Sequence, residues 1–503
     1  MSNRKQKRNR FRNRQKEKKL KLNEQRQREF AGLVANYPAG RILYLPLDIG
    51  KNVHWFRADT AAGREIHRPT PLTTNQVGYD RLLGHLRHYL SDGHFDLVIL
   101  GHEPTGIYHE TWSRAILDEF ESYLAQNGSN GPLLYRLLNP YQVKLEREKL
   151  NLRPHKTDPL DLIAMRSLLQ QGQGQPAYLP PAEVALLRQF VFFARQARSN
   201  IRAARIELLR QFDRIWPGAV VNVKRFQQAH PHLPVPTPIV KTKPLERQTL
   251  RCILEHCPNP YHIREMDLEA IIDLYHHHGF QCGEKTAQRI LTCAQQALLN
   301  PPQIVEVYCQ GLAHHLADEQ HWVQRQAWAE QQLESVVHHT PGRHLLSIRD
   351  LSPTWSAYYL DLVGAPPHFD WADQVWTYVG YDPILKQSGD SNPKQAFQIS
   401  RRGDPFHRYV LAWMALLVAG HHPRFGLHFI AAEERGMGFW GAAIHTAHKL
   451  HRVCFRLLLD DRPYWDDTPP EDFARWRNYW LAYRQHRRNP KRNPKPAPWR
   501  PSQ

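Results

Sequence analysis

Between Arg41 and Leu169 the chain alternates short apolar runs with helix-length amphipathic ones, and this alternation restricts it to a sheet covered by helices. RILYLPLDIG (41–50) reads as a mostly buried strand, followed by a tight turn at Lys51-Asn52. VHWFRAD alternates as a second strand, and REIHRPT, after a turn at Ala62-Gly63, is a candidate third. Residues 74–90 carry a helical repeat through Val77, Leu82, Leu83, Leu86 and Leu90. FDLVILGHEPTG is a buried strand that runs into a polar loop, residues 108–126 are helical, and LLYRLL (133–138) is a fifth strand.

Alternation alone says only α/β, but three hairpin-linked strands followed by helix, strand, helix, strand and helix is the order of the ribonuclease H-like (RuvC-like) fold. Asp48 closes the first strand and Glu103 sits just past the fourth. Asp158 and Asp161 open the helix after the fifth, three residues apart and so on one face. Strand ends and helix starts of this kind are where open α/β sheets gather their sites. Plainer roles exist for each: Asp48 as a turn residue, Glu103 as a loop acid, Asp158 and Asp161 as a capping pair around Pro159. Yet an acid at the end of a buried strand is costly unless paired or metal-bound, and neighbouring carboxylates repel unless a cation lies between them. Four such acids suit a two-metal phosphoryl-transfer centre. Just ahead of the last two, residues 139–157 supply Lys144, Arg147, Lys149, Arg153, His155 and Lys156. That is either an approach for a polyanion or, with Glu146 and Glu148 interleaved, a solvated helix face.

The 503 residues have room for two to four domains. No apolar run is long enough to span a membrane, and the charged N-terminus is unlike a secretory signal. Six scattered cysteines point to reduced thiols, hence a cytoplasmic protein. The net charge of +19 is uneven. Residues 1–30 hold 13 Lys or Arg against 3 Glu, and residues 482–503 hold 7 with no acid. Two basic tails, 1–38 and the Pro-rich 466–503, therefore flank a nearly balanced body. Such tails serve as polyanion-binding arms or as solubilising and targeting segments.

Residues 182–216 form a long helix with a seam through Leu186, Phe190, Phe193, Ala197, Ile201, Ala204, Leu208 and Phe212. Segment 318–340 is its expected antiparallel partner in a coiled-coil arm. Between them, 217–317 is an insertion of unassigned role, irregular over 228–262 and helical over 267–298. Its Cys252, His256, Cys257, His262, His276, His277, His278 and Cys282 invite a zinc reading, but their spacing matches no standard zinc motif. In a mainly helical C-terminal stretch, 341–465, Ser388-Gly389 is followed by Lys394, Arg401, Arg402, His407 and Arg408. A serine among cations is a candidate nucleophile toward a phosphodiester, and a Ser-Gly pair is also an ordinary turn.

Taken in order, these motifs resemble the DEDD transposases of the insertion-sequence-110 family. The resemblance rests on LDIGK at Asp48, GHEPTGIY at Glu103, Asn139-Pro140, KTDPLDLIA at Asp158 and Asp161, and LLSI…LVG…YVGYDP…QSG…ISRRGDP in the C-terminal stretch. It covers most of 41–215 and 341–415. Arg349-Asp350-Leu351-Ser352 departs from the family's Pro-Gly-Ile-Gly, and 217–317 and both tails are extra. The resemblance implies a RuvC-like DEDD domain over 39–178, in which Asp48, Glu103, Asp158 and Asp161 hold two Mg2+ ions. It also implies a transposase domain over 341–465, in which Ser388 forms a phosphoserine link to DNA. Lys144, Arg147, Lys156, Lys394, Arg401, Arg402 and Arg408 are the expected nucleic-acid contacts. The implied partners are donor and target DNA, an element-encoded guide (bridge) RNA, and further copies of the chain in a homodimer or homotetramer. The implied setting is a prokaryotic nucleoid.

Overall fold

The computed structural model describes residues 25, 27–91, 93–104, 108–124, 132–151, 158–178, 180–364, 369–384, 398–401 and 403–502. The chain divides into two units at Leu179/Pro180.

The first unit is built on a six-stranded sheet of order β3-β2-β1-β4-β5-β6. β1 (Ile42–Ile49), β2 (Val53–Thr60) and β3 (Glu65–Thr73) form an antiparallel meander, while β4 (Leu97–His102) and β5 (Leu133–Leu137) continue parallel to β1. A two-residue edge strand, β6 (Gln175–Pro176), closes the far side antiparallel to β5. It is too short to leave a sequence signal. Helices α1 (Gln76–Ser91), α2 (Tyr108–Glu119), α3 (Pro140–Asn151) and α4 (Asp158–Gln170) cover the two faces. Leu43, Leu45, Leu47 and Ile49 of β1 pack with α1 and α2, whereas Ile42 and Tyr44 pack with Ala164, Met165, Leu168 and Leu169 of α4. Burial on both faces is why β1 and β4 read as continuous apolar runs rather than alternating ones. Gly101 lets α4 come close: a Cβ there would stand 2.5 Å from the Leu169 side chain.

The basic N-terminal tail was expected through residue 38, yet residues 27–35 are helical and Phe30 is buried in the α4-side core. Phe30, with Leu33, Val34 and Tyr37 packed beside it, ties this segment to the sheet despite its charge.

The second unit is helical. α5 (Ala182–Ile215) and α11 (Pro302–Val337) form the arm. They run antiparallel: Val184 and Val337 share one core, Phe190 contacts Trp328, Arg205 pairs with Glu319, and Gln211 donates to the Tyr308 carbonyl. α11 starts sixteen residues before the expected partner segment at 318. The first half of the seam is Val184, Leu187, Val191 and Ala194, while the expected Leu186 is exposed. This end of α5 has core on two sides, so Phe190 and Phe193 pack sideways and the seam slips.

At the arm's other end, α6 (Val223–Ala229), α7 (Gln248–His256), α8 (Pro260–Glu265), α9 (Leu268–His277) and α10 (Glu284–Gln296) make the insertion a helical module. Its core joins Leu208, Phe212, Ile215 and Trp216 to Val305, Leu312 and Leu316. Cys252, Cys257, Cys282 and Cys293 are buried within it, and among the described residues no His/Cys/Asp/Glu cluster is placed to hold a metal ion.

The C-terminal bundle comprises α12 (Pro353–Val363), α13 (Ala372–Tyr378), a small hairpin of β7 (Pro383–Ile384) with β8 (Gln398–Ile399), α14 (Pro405–His421), α15 (Pro423–Glu434), α16 (Phe439–Leu459) and α17 (Pro470–Arg488). α17 lies inside the stretch expected as a basic tail. Its Trp476 and Tyr483 are core residues, and Trp476 Nε1 donates to the Ala419 carbonyl at 2.9 Å. Residues 489–502 return along α17: Trp499 packs on Trp476 with ring centroids 5.5 Å apart, and the Ser502 amide and hydroxyl both donate to buried Asp472.

Candidate active site

Two of the four acids leave the sheet side by side. The last registered pair between β1 and β4 is Leu47↔His102, so Asp48 and Glu103 occupy the next level of neighbouring parallel strands. Such strands lie about 4.8 Å apart. Asp48 continues the series Ile42, Tyr44, and Glu103 continues Leu97, Ile99, so both project to the face that α4 covers. Both are half-buried and engaged in polar or electrostatic interactions. Asp158 is the exposed first residue of α4, and Asp161, one turn on, is buried.

Asp161 pairs with Arg147 of α3. The same helix hairpin is tied by Glu146, which accepts from Ser167 Oγ at 2.6 Å and Gln171 Nε2 at 3.1 Å. The Ser167 hydrogen bond, aided by Lys149, holds the Glu146 carboxyl below its ordinary range. Arg147, expected to contact nucleic acid, is thus turned inward to a carboxylate, while Lys144 stays exposed beside Glu148. Lys156 lies outside the described residues. The all-carboxylate donor set has the hard-oxygen chemistry that Mg2+ takes, and Asp48 with Glu103 fits it by position. Among the described residues, however, no three acids are gathered into a metal-holding group.

Behind the acids, on the opposite face of β4, His102 is fully buried. Its Nε2 lies 3.0 Å from Ser113 Oγ and its Nδ1 3.1 Å from Tyr135 Oη, and the tyrosine hydroxyl also donates to Ser113 Oγ at 3.3 Å. Desolvation, helped by His109 and His54, pushes the imidazole down to about 3. A neutral, locked ring therefore fixes the strand end that carries Glu103. Strand alternation could have shown that His102 is buried, but its hydroxyl partners come from α2 and β5 and leave no local signal. Sequence reasoning also missed Asp59, which accepts two 2.6 Å bonds from Arg57 and lies 3.7 Å from Arg166 of α4.

In the second unit, Ser388, Lys394 and Arg402 lie outside the described residues. The ends that flank Ser388 and Lys394 are paired, Pro383 with Ile399 and Ile384 with Gln398. The turn that follows is tightly specified. Arg401 adopts φ 54° with an exposed side chain, and its amide donates to the Gly380 carbonyl at 2.9 Å. Gly403, at φ 72°, sits where a Cβ would be 2.2 Å from the Tyr378 carbonyl oxygen. Asp404 then caps α14 by accepting from the Phe406 amide at 2.8 Å, with Pro405 as the first helical residue. Arg408 donates to the carbonyls of Val379 (2.8 Å) and Gly403 (3.2 Å), so it braces the turn. Of the expected basic contacts, Arg401 is the one here that the structure shows presented to solvent.

The chain thus joins an α/β unit with Asp48 and Glu103 at the ends of its central strands to a helical unit with a braced turn that presents Arg401. Residues 342–429 of the helical unit match the sequence model of the transposase IS116/IS110/IS902 family. No curated protein matches the chain. The matched stretch runs from before α12 to within α15 and includes the Ser388 segment and the braced turn, and it supports a DNA transposase or recombinase role with DNA as substrate. Among the described residues, no helix is long and apolar enough to cross a membrane.

Proposed function

We propose that the chain is the RNA-guided DNA transposase of an insertion sequence, cutting and rejoining strands through a DEDD centre and a nucleophilic serine. The observation that carries this reading is the transposase-family match over 342–429. The sheet order β3-β2-β1-β4-β5, with Asp48 and Glu103 at one level of its central strands, supports the ribonuclease H-like assignment of the first unit.

In this reading Asp48, Glu103, Asp158 and Asp161 would hold two Mg2+ ions, which supply charge stabilisation at the phosphodiester. Arg147 orients the Asp161 carboxylate until then. The Ser388 oxygen bonds to phosphorus while its proton passes to the strand oxygen whose P–O bond breaks, leaving a phosphoserine link and a free strand hydroxyl. A strand hydroxyl that attacks the same phosphorus releases the serine and completes exchange. Lys394, Arg401 and Arg402 offset the charge that develops on phosphorus. Sequence choice rests on an element-encoded RNA pairing with donor and target DNA, and the protein reads backbone and shape. The helical arm suits assembly into a homodimer or homotetramer.

The test is strand exchange by protein purified with its RNA, given element-end and target DNA with Mg2+. Joined product should appear with the native chain and vanish for Asp48→Asn, for Ser388→Ala and on chelation of Mg2+. Undiminished cleavage by Ser388→Ala would replace this reading with a metal-dependent nuclease in which water attacks.

A further inference from the structure

The second unit carries an aromatic surface that its own core does not use. On α14 the residues Val410, Leu411, Met414, Ala415 and Val418 face inward. Tyr409 and Trp413, one turn apart, are left 36% and 42% exposed, and Trp440 at the start of α16 is 53% exposed. The three rings are contiguous, with centroids 5.8 Å apart between Tyr409 and Trp413 and 6.1 Å between Trp413 and Trp440. Their planes are inclined by 48° and 73°, the second an edge-to-face contact, so the rings form a faceted surface and not a closed stack. Large rings left in water as a group cost apolar burial, and such patches mark interaction sites.

What flanks the rings narrows the partner. Arg195 and Arg198 of α5 lie over Phe406 and Tyr409, at 4.3 and 5.1 Å from the ring centres. One terminal nitrogen of Arg198 is buried and has no hydrogen-bond partner among the described residues. Arg198, Arg202 and Arg205 then line a groove of about 630 Å³ along α5, with Ile201, Ile206 and Leu209. Spacings of three and four place these arginines on one stripe of the helix, continuous with the rings through Arg198. Exposed aromatic side chains beside a guanidinium track meet the two needs of an unpaired strand: a surface for base stacking and cations for phosphate. Arg205 is answered by Glu319 and Arg195 by Asp404, whereas Arg198 and Arg202 have no carboxylate partner among the described residues, and the phosphates of a strand would supply one.

We propose that Tyr409, Trp413 and Trp440, with Arg198 and Arg202, form a platform for a single-stranded segment of nucleic acid, its bases on the rings and its phosphates along α5. This deepens the nucleic-acid reading given above, but it is independent of the serine chemistry. The probe is a fluorescein-labelled oligothymidylate of about 12 nucleotides, within the usual span of such sites, added to the full chain and followed by anisotropy. Trp413→Ala and Trp440→Ala should each weaken binding by roughly 5- to 100-fold, the range for loss of one stacked base. Arg202→Ala should weaken it and flatten its salt dependence. Ser388→Ala should bind as the native chain does, so a failed exchange reaction and a failed platform are separately visible. Trp413, Trp440 and Arg202 are exposed, and unchanged thermal melting confirms that each variant is folded. Unchanged affinity in Trp413→Ala and Trp440→Ala would overturn the platform. Loss of self-association in sedimentation, with affinity intact, would assign the surface to a second copy instead.

Discussion

Gly403 shows how one backbone position supports the basic turn. With φ at 72° and the Tyr378 carbonyl 2.2 Å from where a Cβ would stand, Gly403→Ala must displace the segment that carries Arg401 and Arg402. A destabilisation of about 1–3 kcal/mol is expected in urea unfolding, together with loss of strand exchange. His102 gives a prediction in pH. Its folded value, about 3, lies below the ordinary 6.5, so the unfolded chain binds the extra proton first. Its contribution to stability is complete above 6.5 and is lost as pH falls toward 3, at about 1.4 kcal/mol per unit. Denaturation midpoints at stepped pH should fall less steeply for His102→Gln than for the native chain; equal slopes would contradict this burial. The positions of Asp48 and Glu103 were legible because each ends an apolar run, and strand ends need no long-range information. The Arg147–Asp161 pair was not, because it depends on how α3 folds back on α4.

At the level of elements, β1 to β5 and helices α1, α2 and α4 followed from hydrophobic period, since a sheet buried on both faces leaves unbroken apolar runs, whereas the 27–35 helix, α3 and β6 did not. The arm was legible as two long helices, but the seam's first half shifted where α5 meets other core besides its partner. α17 was hidden by composition. Trp476 and Tyr483, seven residues apart on one face, are a core signal, yet the surrounding arginines and prolines made the stretch resemble a tail. This has a consequence. Truncation after Arg488 removes the Trp499 contact and both Ser502 donors to Asp472, and should lower stability by about 2–4 kcal/mol in chemical unfolding. A free basic arm would instead leave stability unchanged and alter only nucleic-acid affinity.

Across the whole molecule, charge and chemistry are divided between two units with separate cores. In the insertion at 217–317 the helices expected over 267–298 are present as α9 and α10, while α7 and the start of α8 fall in the stretch expected to be irregular; the whole is a helical cap on the arm whose cysteines pack as apolar side chains. The acids sit in the first unit and the transposase-family match in the second, so the central claim is that both act in one reaction. It is tested most directly by denaturing the protein after incubation with labelled element-end DNA and Mg2+, then mapping any covalent adduct by peptide mass spectrometry. The account predicts a nucleotide-bearing peptide containing Ser388, absent in Ser388→Ala and in Asp48→Asn. Cleaved DNA with no adduct, or an adduct on another residue, would contradict it.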